Sequence, residues 1–549
     1  MKRSLISFNE KGRPGLVKAI LLIILGLFLV GAPAWPALAA PPGVPAGVAR
    51  QQVVPLAQVR TWEHMAAVEA VTAMPGGLAP AAVVVPFRPT VNAATYQEHK
   101  AKAAALGGAA RVKAPRAAAP SPVPPKIKGQ NFEGVNSVTA GNFRPPDTHG
   151  AVGLNHFVEV TNSHLDIYKK SNHSKVRGLS LDKFFGYFLS IMFDPQVVYD
   201  QAADRWIISA DTFANNNTAG QHNWLAVSQT SDPRGAYYIY AIPVSDGVQF
   251  WDYPHLGVDQ NSILITANMF ESAGEGAFVD GRLLVIPKAL AYNGLPLTTT
   301  LFTDLVGSIA APIVLDDNPS TFLVSAPVPA PPATENQITL YTLTYPGGVP
   351  SLATSAITVD PFGLPPSAAQ NTNVKAFLDT LDCRFVNFST QVGDSLFQVH
   401  TIADGSGFAR PRYYEFDTAT GTVAASGIFS RSATSYDFNA SIAANANRDV
   451  FVTWTATDPV KKANAEVRFS GRQSTDPIPG IASPGVKLAG SSSYYNPSGL
   501  PDGGVLLTER WGDYSAVSID PADPTKAWVV NERNSSKIRW ASRIGRIGY

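Results

Sequence analysis

The sequence predicts an all-β fold, a single seven-bladed β-propeller of four-stranded blades that follows a signal peptide and an Ala/Pro-rich arm. The first observation behind this prediction is one β-hairpin pattern that recurs seven times after residue 146. The second is composition. The 549 residues include 44 Gly and 44 Pro, and 45% are apolar against 15% charged, which indicates many turns around a large buried core.

Each repeat is a strand of small and branched residues, a turn rich in Asp, Asn, Gly or Pro, and a second apolar strand, as in DTHGAVGLNHFVEVTN and DYPHLGVDQNSILITAN. Successive units begin 47 to 76 positions apart, which leaves room for two further strands in each interval. The units begin at Asp147, Asp194, Asp252, Ala311, Asp382, Asp437 and Asp513. The last unit is one strand short, so we expect residues 131–140 to supply that strand and close the ring.

Two stacked β-sandwiches are the alternative architecture, because they also contain short strands and frequent turns. A sevenfold hairpin is poorly explained by them. Helices are expected only in the arm, over Trp62 to Met74 and Ala94 to Leu106, and over Leu181 to Ile191.

Residues 1–39 have the order of a secretory signal: a basic start, the apolar run AILLIILGLFLVG, and the small-residue sequence Ala37-Leu38-Ala39. The apolar run is too short to span a bilayer as a helix, so cleavage after Ala39 and no stable membrane span are expected. The predicted location is secreted: extracellular, periplasmic or associated with the cell surface.

Residues 40–128 are rich in Ala, Pro and Val and predict a mostly disordered arm. The arm holds 10 basic and 3 acidic residues, whereas residues 129–549 hold 28 basic and 38 acidic ones. This asymmetry suggests either that the arm contacts an acidic surface, including the protein's own body, or that it is a charged, solvated linker.

The whole chain carries a formal charge of +1, which gives no basic field for nucleic acid. A single cysteine, Cys383, excludes an intrachain disulfide and is expected to be an inert buried thiol. A monomer is expected. No G-x-S-x-G elbow, Walker loop, H-E-x-x-H or EF-hand loop occurs in the sequence.

Several strings resemble a widespread set of exported, mostly uncharacterised bacterial proteins with a sialidase-like (BNR-related) propeller fold. They are PPDTHGAVG, FDPQVVYDQAADRW, SQTSDPRGAYYIY and RWGDYSAVSIDP, and the resemblance covers most of residues 130–549. It implies a fold and an exported location, and it says little about chemistry, because one propeller scaffold carries many functions.

The motifs of true sialidases are not met. In the string from Thr230 to Tyr237, one residue too many separates Asp232 from Gly235 for an Asp-box. Sialidases also bind a carboxylate with three arginines, the first in an Arg-Ile-Pro string, and this chain has Arg144-Pro145-Pro146 instead. A sialidase activity is therefore not expected.

If the repeats are the innermost strands, their leading aspartates converge at one mouth of the channel. There they would bind hydroxyls of a glycan or Ca²⁺, a cation that takes six to eight oxygen ligands. The alternative is structural, because aspartates before strands accept hydrogen bonds from loop N–H groups. The predicted ligand-binding residues are Asp147, Asp194, Asp252, Asp382, Asp437, Asp513, Asn439, Arg510, Trp511 and Tyr514, and the predicted Ca²⁺ ligands are Asp194, Asp252, Asp437 and Asp513.

Catalysis at the same mouth is a second hypothesis. His and Tyr side chains there could act as base and acid in polysaccharide cleavage, with an arginine neutralising a uronate. The candidates are His149, His255, Arg384, Tyr253 and Tyr436.

The sequence thus favours an exported propeller that binds a glycan or another envelope or extracellular component at the channel mouth, with Ca²⁺ as a possible cofactor. The alternatives are a polysaccharide lyase or glycoside hydrolase, and a purely structural surface protein. Six tryptophans could stack on sugars if exposed, although most are expected to pack between blades: Trp206, Trp224, Trp251, Trp454, Trp511 and Trp528.

Overall fold

The structure of the chain, a computed structural model, describes residues 43–72, 83–85, 88–91, 93–107, 122–129, 131–213, 220–245, 247–272, 276–372, 376–476, 480–499 and 507–549. The predicted signal peptide lies outside the described residues. Ala40–Tyr549 forms one compact unit in which strands dominate.

The described part of the segment before residue 140 contributes five strands and two helices. They are β1 (Val44–Pro45), β2 (Val48–Val54), β3 (Gln58–Arg60), α1 (Trp62–Thr72), α2 (Ala93–Gly107), β4 (Lys126–Ile127) and β5 (Phe132–Asn136). Both helices fall where the Ala-rich sequence predicts them.

The first four antiparallel sheets follow in chain order. Sheet 1 is β6 (His149–Val152), β7 (His156–Thr161), β8 (His164–Lys169) and β9 (Lys175–Ser180), followed by α3 (Leu181–Phe185). Sheet 2 is β10 (Met192–Asp200), β11 (Arg205–Thr212), β12 (Gln221–Ser228) and β13 (Tyr237–Ser245). Sheet 3 is β14 (Gln249–Val258), β15 (Ser262–Glu271), β16 (Phe278–Pro287), with α4 (Lys288–Ala291), and β17 (Leu297–Leu305). The antiparallel strands of sheet 4 are β19 (Thr321–Ser325), β20 (Glu335–Thr344) and β21 (Ser351–Phe362). We group with them the short strand β18 (Pro312–Val314), because Ala310 just before it bridges Val324 of β19. β18 itself pairs in parallel with β14 of sheet 3 and with residues 389–391.

The remaining strands include a small sheet and three further antiparallel sheets. The small sheet joins β22 (Ala368–Ala369), β23 (Ala376–Leu378) and a later strand. Sheet 5 is β24 (Ser389–Val392), β25 (Ser395–Ala403), β26 (Ala409–Asp417) and β27 (Thr422–Ile428). Sheet 6 is β28 (Tyr436–Ala444), β29 (Val450–Asp458), β30 (Ala463–Arg472) and β31 (Val486–Gly490). After β32 (Leu507–Glu509) of the small sheet, sheet 7 is β33 (Ala516–Ile519), β34 (Lys526–Ser536) and β35 (Arg539–Gly548).

The first strands of the seven sheets contact one another in chain order, from β6 through β10, β14, β18, β24 and β28 to β33, and β33 contacts β6. The last sheet receives its outer strand from before the first one, because β5 pairs antiparallel with β35. This confirms the prediction that residues 131–140 complete the final unit.

Neighbouring sheets pack face to face through apolar clusters. Ile207 of sheet 2 lies in one cluster with Trp251 and Ile265 of sheet 3, while Ile208 lies in another with Leu165 of sheet 1. Adjacent residues of one strand therefore face two different neighbours, as the alternation of side chains in a strand requires. Five of the six tryptophans considered as sugar-stacking residues are fully buried, which confirms the packing expectation for Trp206, Trp251, Trp454, Trp511 and Trp528.

The described part of the arm is folded, which differs from the mostly disordered arm expected from its composition. β1 pairs with β21 of sheet 4, β2 with β17 of sheet 3, and β3 with β13 of sheet 2. The arm therefore adds a strand to the outer edge of three consecutive sheets. Composition missed this because edge pairing uses backbone groups, which even an Ala/Pro-rich segment supplies.

Among the described residues, no helix has the length and apolarity needed to cross a membrane.

Candidate functional site

Six of the seven inner strands have a residue with an unusual backbone conformation at or near their start. Six residues at this position have left-handed φ values between 47° and 72°: Asp147, Asp194, Tyr253, Ser308, Cys383 and Asn439. Asp and Asn tolerate this conformation better than most residues, which explains part of the aspartate pattern in the repeats.

The preceding sheet holds three of these turns in place. Asn162 Oδ1 accepts the N–H of Asp194 at 2.8 Å, Asn268 Oδ1 accepts the N–H of Ser308, and Thr401 Oγ1 accepts the N–H of Asn439 at 3.0 Å. Each bond joins one sheet to the next. The repeated turn thus links neighbouring sheets through buried hydrogen bonds.

We expect Asn162→Ala to lower the free energy of unfolding by about 1 to 3 kcal/mol, because it removes the acceptor of the buried Asp194 N–H and the donor to Asp147 Oδ2. Denaturant unfolding measures the change. Asn172→Ala, at an exposed asparagine that bonds only Ser174, is the matched control and should change little. Equal effects of the two substitutions would contradict a linking role for Asn162.

The six repeat aspartates do not occupy equivalent positions, which corrects the alignment made on the sequence. Asp147 and Asp194 have the left-handed conformation themselves, whereas Asp252 and Asp382 each precede the left-handed residue and Asp437 lies two residues before it. Their carboxylates consequently meet different partners. The sequence could not reveal the offset, because Asp, Asn and Ser all suit this turn.

Four of these aspartates are nevertheless brought together. Asp147 accepts the N–H of Asp513 at 2.7 Å and the Nδ2 of Asn162 at 2.6 Å, and Asp194 accepts the hydroxyl of Tyr514 at 3.0 Å. Burial, followed by the charge of Asp513, raises the pKa of Asp147 to about 7. Burial, with the charges of Asp147 and Asp252, raises the pKa of Asp194 well above its usual range.

Arginines and aromatic rings fill the space around these carboxylates. Arg384 donates to both carboxylate oxygens of Asp382, at 2.6 and 2.8 Å, and its guanidinium lies 4.3 Å from the centre of the Tyr253 ring. Tyr253 stacks on Tyr514 with ring centres 5.1 Å apart. We name the whole group the mouth cluster: Asp147, Asp194, Asp252, Tyr253, Asp382, Arg384, Arg510, Asp513 and Tyr514. Except for Arg510, every member is at most 6% exposed.

Both histidines of the catalytic hypothesis are buried and neutral. His149 accepts the N–H of Val197 at Nδ1 and contacts Asn387 Oδ1 through Nε2 at 2.9 Å. His255 contacts the carbonyl of Ile309 through Nδ1 at 2.9 Å and lies beside Tyr253. Burial lowers the pKa of each imidazole to about 4. In this arrangement neither histidine reaches solvent.

The other predicted residues lie outside this network. Asp437 accepts hydrogen bonds from Arg410, Trp454 and Ser435 within sheets 5 and 6. Trp511 donates to Thr455 and packs against Tyr495. Asn439 Nδ2 donates to the carbonyl of Gly512, and Tyr436 packs on Phe408. These contacts are all internal to the fold.

Side chains that could bind a metal ion include those of His, Asp and Glu and the single cysteine, Cys383. Within the described residues, no group of three or more His, Cys, Asp or Glu side chains has the arrangement of a metal site. Cys383 is 1% exposed with Sγ near the carbonyl of Gly363, and burial raises the pKa of its thiol. Such a thiol has little thiolate character.

The arm supplies residues of this region that sequence reasoning did not single out. Arg88 contacts Asp252 Oδ2 at 3.3 Å, Tyr96 donates to Asp379 Oδ1 at 2.8 Å, and Lys100 is buried beside Thr380. The only signal for them was the opposite charge of the arm and of the remaining chain. Glu532 was also missed; its carboxylate accepts the N–H of Gly512, and burial raises its pKa well above the usual range.

The opposite end of the inner strands is open. A cavity of about 120 Å³ lies where these strands end, next to a smaller apolar one of about 30 Å³ between the strands. The larger cavity combines polar and apolar groups: Tyr199, Asp200, Gln201, Ala202, Val258, Gln260, Ile313, Val314, Leu315, Asn445, Ala446, Ile519 and Pro524. No sequence pattern pointed to this end of the channel, since none of its lining residues belongs to a chemical motif.

Comparisons with known proteins find distant structural resemblance to this chain, at low sequence identity. No family model matches the chain, and no curated protein matches it. Solved structures that it resembles include a Synechocystis apocarotenoid oxygenase variant (10% identity, 61% of this chain and 73% of that one, TM-score 0.36). A second is an exo-β-1,3-galactanase from Phanerochaete chrysosporium, at 14% identity over 60% of this chain and 80% of that one, with a TM-score of 0.30. A third is a Trypanosoma rangeli sialidase, at 11% identity over 69% of this chain and 57% of that one, with a TM-score of 0.32. With TM-scores below 0.5, these similarities carry no argument about activity.

Proposed function

We propose that the protein is an exported seven-bladed β-propeller that binds a glycan at the open end of its channel. The blade count is supported by the ring of contacts among the first strands of seven sheets and by the pairing of β5 with β35. Export is supported by the order of basic, apolar and small residues at the start of the sequence.

The open cavity is the observation that carries the binding role. It is larger than the neighbouring cavity of about 30 Å³, whereas the residues of the aspartate mouth bond one another. Concave sites with a few polar groups on an apolar lining are where proteins bind small ligands. Here the polar groups include the exposed amides of Gln201 and Gln260, although Gln260 Nε2 already donates to the loop at residues 316–317. The amide of Asn445 is buried and bonds Asp449 and the carbonyl of Pro524.

This lining suits a neutral, hydroxyl-rich ligand. Asp200 is the charged residue of the lining, and its carboxylate is already paired with Lys288 and Tyr292. Amide groups donate to and accept from sugar hydroxyls, while apolar side chains such as Ile313 and Leu315 cover the C–H faces of the ring. An anionic or strongly cationic ligand would find no opposite charge there.

The decisive substitution is Ala446→Trp, which places a bulky ring at an exposed turn on the rim of this cavity. We expect a glycan found in a binding screen of the purified protein to lose at least about tenfold in affinity, because the ring occupies the ligand's space. Ala419→Trp, at an exposed turn of sheet 5, is the control and should bind like the wild type.

The screen is run with Ca²⁺ and with a chelator, and each hit is tested for cleavage products. Unchanged affinity in Ala446→Trp would place the ligand elsewhere and overturn the open-end site. No hit across neutral and acidic polysaccharides would overturn the glycan proposal. Release of oligosaccharides would favour the lyase or glycosidase alternative.

A further inference from the structure

The acidic mouth of the channel is covered by a segment of the arm. Val85 donates its N–H to the carbonyl of Arg144 at 2.7 Å, and Arg144 donates to the carbonyl of Val83 at 2.8 Å, so this part of the arm pairs with the loop before sheet 1. Arg88 and helix α2 follow and lie over the mouth cluster. We name Arg88 and α2 the plug.

Arg88 occupies a site that suits a guanidinium group. Its guanidinium lies 4.1 Å from the centre of the Phe250 ring, and Nη1 lies 3.3 Å from Asp252 Oδ2. An aromatic face with a carboxylate beside it is a favourable environment for a cation. The carbonyl of Arg88 also accepts a hydrogen bond from Arg384 of the mouth cluster.

Lys100 occupies a second cation site with complete coordination. Its Nζ donates to the carbonyl of Pro365 at 2.8 Å, to Thr380 Oγ1 at 2.6 Å and to the carbonyl of Leu381 at 2.9 Å. These three acceptors match the three N–H groups of an ammonium ion. The carboxylate of Asp379 lies 3.9 Å away and compensates the charge, and it also accepts the hydroxyl of Tyr96.

Apolar packing contributes little to the docking of α2. Between residues 94 and 106, only Tyr96, Lys100 and Ala103 are buried, and Leu106 is half exposed. A cavity of about 190 Å³ lies between Ala103 and Leu106 on the helix and residues 331–334, 363–364 and 403–407 of the body. The helix is therefore held mainly by the hydrogen bonds of the Lys100 ammonium and of the Tyr96 hydroxyl, and Arg88 adds a charged contact just before the helix begins.

The body beneath the plug carries the complementary charge. The mouth cluster contains five aspartates and two arginines, and Asp379 adds a sixth carboxylate that contacts Arg510. The arm as a whole holds 10 basic and 3 acidic residues, and residues 129–549 carry the excess of acid. Basic groups are accordingly the ligands that this mouth recognises.

We propose that the aspartate mouth is a binding site for a basic polypeptide segment and that the plug occupies this site in cis as a built-in competitor. The site takes a chain that presents one guanidinium to Asp252 and Phe250 and one ammonium to Thr380 and Asp379. A second polypeptide with this pattern binds only when the plug leaves.

The test uses the full chain carrying Arg88→Ala and Lys100→Ala, together with a fluorescent synthetic peptide of residues 83–107. Removing both cations empties both sites in cis, so we expect the variant to bind the peptide at least about tenfold more tightly than the wild type. The matched control is Arg50→Ala with Lys126→Ala, which removes the same charge from exposed arm positions outside the plug and should behave like the wild type.

Two further variants define the chemistry of the site. A peptide with alanine at both cation positions should not bind, and adding Asp252→Asn and Asp379→Asn to the protein variant should abolish binding. If the double variant keeps the wild-type unfolding midpoint yet binds the peptide no better than the wild type, the proposal is overturned and the plug is only structural.

Hydrogen exchange of the wild-type protein tests the proposal without any substitution. A peptide of six arginines competes for the carboxylates of the mouth, and NaCl of equal ionic strength is the control for screening. We expect the peptide to accelerate exchange of the α2 amides several-fold, while amides of the buried strand β11 stay unchanged. Exchange of α2 that the peptide leaves unchanged would overturn the proposal, including in the case where the double variant fails to fold.

Discussion

Replacing Asp437 by alanine is expected to lower the free energy of unfolding by about 3 to 5 kcal/mol. The Asp437 carboxylate is fully buried and accepts hydrogen bonds from Arg410 at 2.8 Å, Trp454 at 2.8 Å and Ser435 at 2.6 Å. Its removal leaves the guanidinium of Arg410, itself 4% exposed, without its closest carboxylate. Arg410 then keeps only the longer contact with the Asp404 carboxylate at 3.5 Å, and this poorly compensated charge in the interior accounts for the size of the effect.

Denaturant unfolding monitored by tryptophan fluorescence measures this change. Asp394→Ala is the matched control, because the Asp394 side chain is exposed and its carboxylate forms no hydrogen bond with the described residues. This substitution should change the free energy of unfolding by less than about 0.5 kcal/mol. A variant at Asp437 with wild-type stability and weakened ligand or Ca²⁺ binding would instead favour the ligand-binding role predicted from the sequence.

A second large effect concerns pH. Glu159 on β7 is fully buried, and its Oε2 accepts the N–H of Val135 at 2.9 Å and the hydroxyl of Tyr168 at 3.1 Å. Burial raises the pKa of this carboxyl from 4.5 to about 7. The folded state therefore holds the proton more tightly than the unfolded state, and the associated stability is present below pH 4.5 and lost as pH rises through 7.

Glu159→Gln should remove this pH dependence, because glutamine is neutral and nearly isosteric. We expect the variant to match the wild type near pH 4 and to exceed its stability by about 3 kcal/mol near pH 8, which corresponds to the raised pKa at 1.36 kcal/mol per unit. Unfolding free energies at pH 4, 5, 6, 7 and 8 measure the difference.

The comparison with the wild type cancels contributions from other buried carboxyls, such as Asp147, whose pKa is also raised to about 7. Glu271→Gln, at an exposed glutamate, is the control and should show a pH-independent difference. If Glu159→Gln and the wild type lose stability in parallel from pH 4 to 8, Glu159 is ionised in the folded protein and the expectation is wrong.

The charge pattern of the arm illustrates how far the sequence carries an argument. Opposite charge on residues 40–128 and 129–549 indicated that the arm contacts an acidic surface, and Arg88 and Lys100 do contact Asp252 and Asp379 of the same chain. Composition could not tell this outcome from a solvated linker. Whether the arm docks or stays solvated depends on the two carbonyl groups and one hydroxyl group that bind the Lys100 ammonium, and these groups come together only in the folded protein.

The repeats determined the β-hairpin units, the completion of the last sheet by residues 131–140 and the low helix content, because strand alternation and turn residues are local properties of the chain. They also placed Asp147, Asp194, Asp252 and Asp513 near one another. Tertiary structure alone decided that these carboxylates are buried among Arg384, Tyr253 and Tyr514, that the arm covers them, and that the opposite end is open. Burial and pairing depend on residues far apart in sequence, so no local pattern encodes them.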